Sequence, residues 1–208
     1  MVEVKEQLRV APGDAAPSGG FLLGSSAERY AGFVARANTY VLEDSEREGL
    51  AGFAITLPDG VLRATDVWAR RREIDWEDDD WERLEAERVG YFEQVAVLPG
   101  CRYRMAAGAL ALRALADLLA DAHVHVFATV VRTPFTNRAS LRLLEAVGAH
   151  RVGQIGEVYD GVGRVVSDVY HLDRSRPVPD DPLTTSRLAL RLSSYAGRIG
   201  VISPAIMA

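Results

Sequence analysis

A single mixed α/β domain is the fold class this sequence predicts, and three observations carry the prediction. Strand and helix patterns alternate over residues 91–159 as strand, helix, strand, helix, strand. That order implies a parallel strand pair joined by a right-handed crossover. Two further pairs of strand-like runs, within 40–57 and 151–172, are separated by polar turns and read as antiparallel hairpins on either side of that unit. The length of 208 residues, 48% of them hydrophobic and 25% charged, is enough for one proper core with extensions.

Taken in order, residues 2–10 alternate weakly and predict a first edge strand, and 11–20 (APGDAAPSGG) a loop. Ser25 and Ser26 precede Glu28, with Tyr30, Phe33, Val34 and Ala37 at helical spacing, so 27–37 predicts a capped amphipathic helix. Strands at 40–43 and 50–57 follow, the second closed by Pro58-Asp59-Gly60. Residues 64–89 break this rhythm with three tryptophans (Trp68, Trp76, Trp81), an arginine run at 70–72 and an acid run at 77–80; 81–88 predicts a helix. The apolar run 91–98 is a buried strand stopped by Pro99-Gly100. Residues 106–120, rich in Ala and Leu, form the strongest helix signal in the chain. A strand at 123–131, a helix at 137–147 ended by Gly148, and a hairpin of 151–159 with 163–172 complete the pattern. Residues 174–208 are a C-terminal extension broken by Pro177, Pro179 and Pro182, with a helix expected over 184–195.

Composition narrows the function classes. A net charge of −5 argues against an extended nucleic-acid footprint. Cys101 is the only cysteine, so no internal disulfide can form. No run approaches 18 uninterrupted apolar residues, and the acids Glu3 and Glu6 stand where a secretory leader needs positive charge. The expectation is a cytoplasmic protein that binds neither membrane nor nucleic acid. No Gly-rich phosphate loop or dinucleotide fingerprint is present, which disfavours an unrelated α/β nucleotide binder.

The segment 95–108 carries the chemistry. A buried strand ends, a tight turn follows, and a long helix starts, so exposed helix N–H groups and the positive end of the dipole suit a phosphate. Arg102 and Arg104 flank that start, and Ala106, Ala107 and Gly108 leave room for a ligand near the backbone. A plain strand–turn–helix unit is the competing reading. His123 and His125 have i,i+2 spacing, but no third ligand stands near them in sequence, so no metal is expected. The acid run reads as a solvated loop or as an attractor for a cationic substrate. The tryptophans read as packing for the insertion or as an aromatic wall.

The run V-x-V-x-P-x-x-R-x-x-M-x-A over 95–107 resembles the acetyl-CoA signature of the GNAT-type N-acetyltransferases. Arg102 stands at the basic position and Ala107 at the final small one, with Met105 in place of the first glycine. Residues 133–140 (TPFTNRAS) and 144–149 (LEAVGA) are similar to the family's second signature, in which Asn opens a helix. Gly52-Phe53 fits its usual Gly-Phe pair. The resemblance spans roughly residues 20–173 and places one acyltransferase domain over 1–173, with 64–89 inserted and 174–208 appended. It implies a V-shaped sheet splayed between 91–98 and 124–131, flanked by helices, with acetyl-CoA as acyl donor. The cofactor would lie against Val95 and Val97, its pyrophosphate on Arg102, Tyr103, Arg104, Met105, Ala106, Ala107 and Gly108, and Asn137 beside its pantetheine arm.

Transfer to an amine needs a base, because a free alkylamine has a pKa of about 10. Glu93 is the candidate: it shares strand parity with Val95 and Val97, and a carboxylate within an apolar strand is expected to have a raised pKa. Leu144 stands where many relatives place an acidic tyrosine, so no general acid is named. A thiol, with a pKa of about 8.5, leaves with little help. The acceptor, a small-molecule or peptide amine, is not specified by the sequence. A degenerate CoA-binding or interaction module without catalysis is the alternative, and a homodimer is left open.

Overall fold

The computed structural model describes residues 1–12, 19–43, 49–77, 84–100, 105–175 and 199–202. Eight strands form one sheet: β1 (Asn38–Glu43), β2 (Leu50–Leu57), β3 (Asp75–Trp76), β4 (Val89–Val97), β5 (His125–Thr133), β6 (His150–Tyr159), β7 (Gly163–Asp173) and β8 (Ile199–Ile202). Their spatial order is β3-β6-β7-β5-β4-β2-β1-β8. Every neighbouring pair is antiparallel except β4 and β5.

That parallel pair positions everything else. Each of its strands has nine residues, yet the ladder joins only Val89–His125, Gly90–Val126 and Tyr91–Phe127. Beyond Tyr91 the strands part, and the sheet is V-shaped. A last tie, from the Tyr91 hydroxyl to Thr129 Oγ1 at 2.8 Å, spans the point where they diverge. Beside it, β4 carries a bulge. Ile55 pairs with Gln94 and Thr56 with Phe92, which leaves Glu93 as the extra residue.

Helix α5 (Ala106–Ala120) makes the crossover from β4 to β5 and buries Leu110, Leu112, Leu115 and Leu118 against the sheet. Each fully buried leucine stabilises the fold by roughly 1.5–3 kcal/mol relative to exposure. The helix lies so close to β4 that a Cβ on Gly90 would stand 3.1 Å from Leu118. Helix α6 (Arg138–Ala146) follows β5 and shares α5's side of the sheet through Leu144 and Val147. Asn137 caps it, its Oδ1 accepting from Ser140 N at 3.2 Å, and Gly148 leaves it with φ at 84°. The other side holds a second core of Val4, Tyr30, Phe53, Ile55, Leu57, Leu62 and Val89, covered by α1 (Val2–Gln7), α2 (Ala27–Arg36) and α3 (Asp59–Leu62). Ser26 caps α2 as expected, accepting from Arg29 N at 3.2 Å.

Three elements differ from the sequence reading. Of residues 2–10, Val2–Gln7 form helix α1 rather than an edge strand. Glu3, Lys5, Glu6 and Gln7 are helix formers, and Val4 and Lys5 turn onto the second core, so a helical face is buried where a period of two was read. Both outer positions of the sheet are meanwhile taken, one by β3 from the insertion and one by β8 from the C-terminal extension. Neither strand was expected. Among its described residues the insertion also forms α4 (Asp66–Ala69) and a 3₁₀ turn (Arg70–Glu73). The helix expected over 184–195 lies outside the described residues, as do 81–83 of the helix expected over 81–88.

Candidate functional site

Where β4 and β5 part, a groove of about 530 Å³ opens on the side of α5 and α6. On its β5 side, β4 has no ladder partner beyond Tyr91 among the described residues, so its peptide groups there face the groove. Val95, Val97, Met105, Ala107, Gly108 and Asn137 line it. Ala106 does not: its side chain is 2% exposed and belongs to the core under α5. Arg102, Tyr103 and Arg104, together with Cys101, lie outside the described residues.

The start of α5 has the features an anion needs. Met105 is its N-cap and supplies no side-chain hydrogen bond, so no side chain of the cap competes for the first helical amides. Met105 has φ −110° and ψ 12°, a backbone that requires no glycine, while its side chain lies along the groove. Gly52 has a separate steric reason: a Cβ there would stand 2.6 Å from Ala96 O, so the residue lets β2 and β4 approach.

A second cavity, of about 380 Å³, has walls that include Trp68, Trp76 and Phe127. Trp76 meets Phe127 edge-on at 6.0 Å, and the Arg71 guanidinium lies 4.3 Å over Trp68. The two cavities share Glu93, Thr129, Glu157 and Tyr159 in their walls, so they meet at the split. Of the acid run, Glu77 is held by Arg151 at 2.6 Å, and Asp78, Asp79 and Asp80 lie outside the described residues.

Glu93 reaches both cavities because of the bulge, not through simple alternation. Before it, Val89 and Tyr91 face the core under α1 and α2, while Phe92 faces α5; after it, Ala96 faces the α1–α2 core and Val95 and Val97 pack towards α5. The alternation of 89–92 therefore shifts by one across this residue, while Glu93 lines the groove with Val95 and Val97. Its side chain is 10% exposed and accepts from Arg29 Nη2 at 3.3 Å and Gln94 Nε2 at 3.4 Å. Gln94 is in turn fixed by the Tyr30 hydroxyl at 3.1 Å.

Three groups at the junction escaped the sequence reading. Lys5 lines the groove, donates from Nζ to Ser25 Oγ at 2.7 Å, and has its pKa lowered to about 8 by burial and then by Arg29. Tyr159 donates its hydroxyl to Glu157, which also accepts from Arg70. Burial first, then the Glu157 carboxylate, pushes the Tyr159 pKa up to about 12. Helix α1 and the β6–β7 hairpin bring these groups in, and no local motif marks them. Leu144 is buried and adds an apolar wall to the groove. His123 is internally satisfied: Nε2 accepts from Asp59 N at 2.9 Å and Nδ1 donates to Leu118 O at 3.1 Å.

No family model matches the sequence, and neither does any curated protein. Solved structures do share its architecture. An N-acetyltransferase from Staphylococcus aureus Mu50 matches with a TM-score of 0.51 at 15% identity, over 84% of this chain and 89% of that one. The ribosomal-protein-S18-alanine N-acetyltransferase from Escherichia coli matches with a TM-score of 0.51 at 17% identity, over 77% and 84%. Arabidopsis thaliana NAA60, solved in complex with acetyl-CoA, matches with a TM-score of 0.51 at 16% identity, over 74% and 87%.

Proposed function

We propose that this chain, which has the fold of the GNAT-type N-acetyltransferases, transfers an acetyl group from acetyl-CoA to an amine. The observation that carries the reading is the pair of cavities meeting at Glu93 across the β4–β5 split. One has open strand amides and an uncapped helix start, and suits a long thioester ending in phosphates; the other is aromatic and suits an acceptor. Acetyl-CoA, when bound, supplies an activated acyl carbon with a thiolate as leaving group.

The residues divide the remaining work. The peptide groups of β4 around Val95 and Val97 hold an extended arm, with Asn137 beside it. The amides of Ala106, Ala107 and Gly108 receive phosphate, strengthened by the helix dipole. Met105 lies along that arm with a backbone that requires no glycine. Glu93 takes a proton from the acceptor ammonium, directly or through one water, so that the neutral amine attacks, while Arg29 fixes the carboxylate. As the new N–C bond forms and the C–S bond breaks, the electron pair leaves with sulfur and the second proton of the nitrogen passes to the thiolate, the first having gone to Glu93. Trp68, Trp76 and Phe127 frame the acceptor, a small-molecule or peptide amine.

Ala107→Asp tests the cofactor half of this reading. An aspartate in the first turn favours the helix dipole and leaves the fold intact, yet it sets a negative charge against the phosphates. Calorimetry should show acetyl-CoA bound by the wild type and at least about tenfold weaker in the variant, the equivalent of 1.4 kcal/mol. No binding by the wild type at millimolar acetyl-CoA sinks the proposal. Binding without thiol release for any amine or peptide offered identifies the non-catalytic module instead.

A further inference from the structure

At the closed end of the V, away from the groove, three side chains converge on one point. His125 opens β5, and His171 and Asp173 close β7. His125 and Asp173 are register partners in the β5–β7 ladder, and His171, two residues before Asp173, shares its face. His125 Nδ1 stands 3.1 Å from His171 Nε2 and 3.5 Å from Asp173 Oδ1, and all three atoms lie within 4.8 Å of one another. The two imidazoles are 0% and 2% exposed, and Asp173 is about one-third exposed.

We infer that His125 Nδ1, His171 Nε2 and Asp173 Oδ1 form a binding site for a zinc-class divalent metal. Metal–ligand bonds of about 2.0–2.1 Å in a tetrahedron place donor atoms about 3.3 Å apart. The separations of 3.1 and 3.5 Å bracket that edge, and with the ligand atoms all within 4.8 Å of one another an inward movement of the carboxylate closes the triangle. Two imidazoles and one carboxylate are a donor set this metal class favours.

The surroundings are those of a ligand set rather than of a packed histidine pair. His125 turns its other nitrogen, Nε2, to the Glu87 carboxylate at 2.8 Å. A carboxylate on the far nitrogen of a ligating histidine selects the tautomer that offers Nδ1 and makes it a better donor. Phe127 stacks on His171 at 4.3 Å with planes 9° apart, which fixes that ring. Asp173 Oδ1 is oriented by Ser175 N at 2.8 Å. His150 is the register partner of His171 across β6 and β7, and its ring centroid lies 5.5 Å from that of His171. A metal here ties the approach to β4, through Glu87, to β5 and β7 at the point where the strands still pair. It would brace the base of the split.

The test uses the full chain without a histidine tag, stripped with a chelator and titrated with ZnCl2 by calorimetry and with CoCl2 by visible absorption. One equivalent should bind, raising the melting temperature and giving the intense bands of four-coordinate cobalt. Asp173→Asn and His171→Ala should abolish the bands, and Glu87→Gln should weaken affinity about 10–100-fold. Circular dichroism confirms that each variant is folded. If His171→Ala does not fold, the partly exposed Asp173→Asn decides. A folded wild type that binds neither metal overturns the assignment, and so does binding unchanged in Asp173→Asn. Neither result depends on acetyl-CoA, so the acyl-transfer proposal stands or falls separately.

Discussion

At the residue scale, Glu93 reaches both cavities for a reason that the sequence pattern supplies only in part. A carboxylate in an apolar strand was legible as unusual, but its access to both cavities comes from a bulge that alternation does not reveal. Glu93→Gln should lower turnover by about 100-fold or more, within the range for a lost general base, with acetyl-CoA affinity retained. A variant that keeps wild-type turnover across pH 6–9 removes Glu93 from the chemistry. Lys5 escaped notice because it was read within a strand, and its burial comes from a helix face. Its pKa falls from 10.5 to about 8, so below pH 8 both folded and unfolded chains carry the ammonium and the folded one bears the full cost of its burial. Between about pH 8 and 10.5 the unfolded chain binds more protons, so this group makes stability rise with pH. Urea denaturation should show that rise in the wild type and lose its Lys5 component in Lys5→Met. Equal pH slopes for the two proteins would falsify the burial of a charged Lys5.

Among the elements, those with strong local signals were legible and those defined by distant partners were not. Helix α5 follows from its Ala and Leu content, and α6 from Asn137 and Gly148 at its two ends. The β6–β7 hairpin follows from its Asp160-Gly161 turn, where Gly161 has φ at 75°. By contrast, β3 is two residues long and exists through its pairing with β6. The same limit hid the proposed metal site, since His125 and His171 are 46 residues apart and meet only once β5 and β7 are in register. The insertion was read as a break in rhythm, and its role is to line the second cavity with Trp68 and Trp76. On the proposed reading, acceptor choice would therefore depend on the segment whose pattern carries least information.

For the whole molecule, the open question of boundaries has a physical answer that can be measured. The sequence reading ends the acyltransferase domain at 173 and treats 174–208 as an appendage, yet Ile199–Ile202 pairs with Thr39–Leu42 and forms the outer strand beyond β1. Ile199 is 9% exposed, and Gly200 brings the strand against Val41. A chain ending at residue 173 keeps every strand around the β4–β5 split, so acetyl-CoA binding should persist. It loses the pairing and burial supplied by β8. Burial of one isoleucine alone is worth roughly 1.5–3 kcal/mol, and each kcal/mol moves the melting temperature of a chain this size by about 2–4 °C. The truncated protein should therefore melt several degrees lower. It should also self-associate, because β1 becomes an unpaired edge with Tyr40 and Leu42 uncovered beside it. Calorimetry and light scattering check both effects. An unchanged melting temperature in a monodisperse truncated chain would show that β8 contributes nothing to the fold, and that the domain is complete at residue 173.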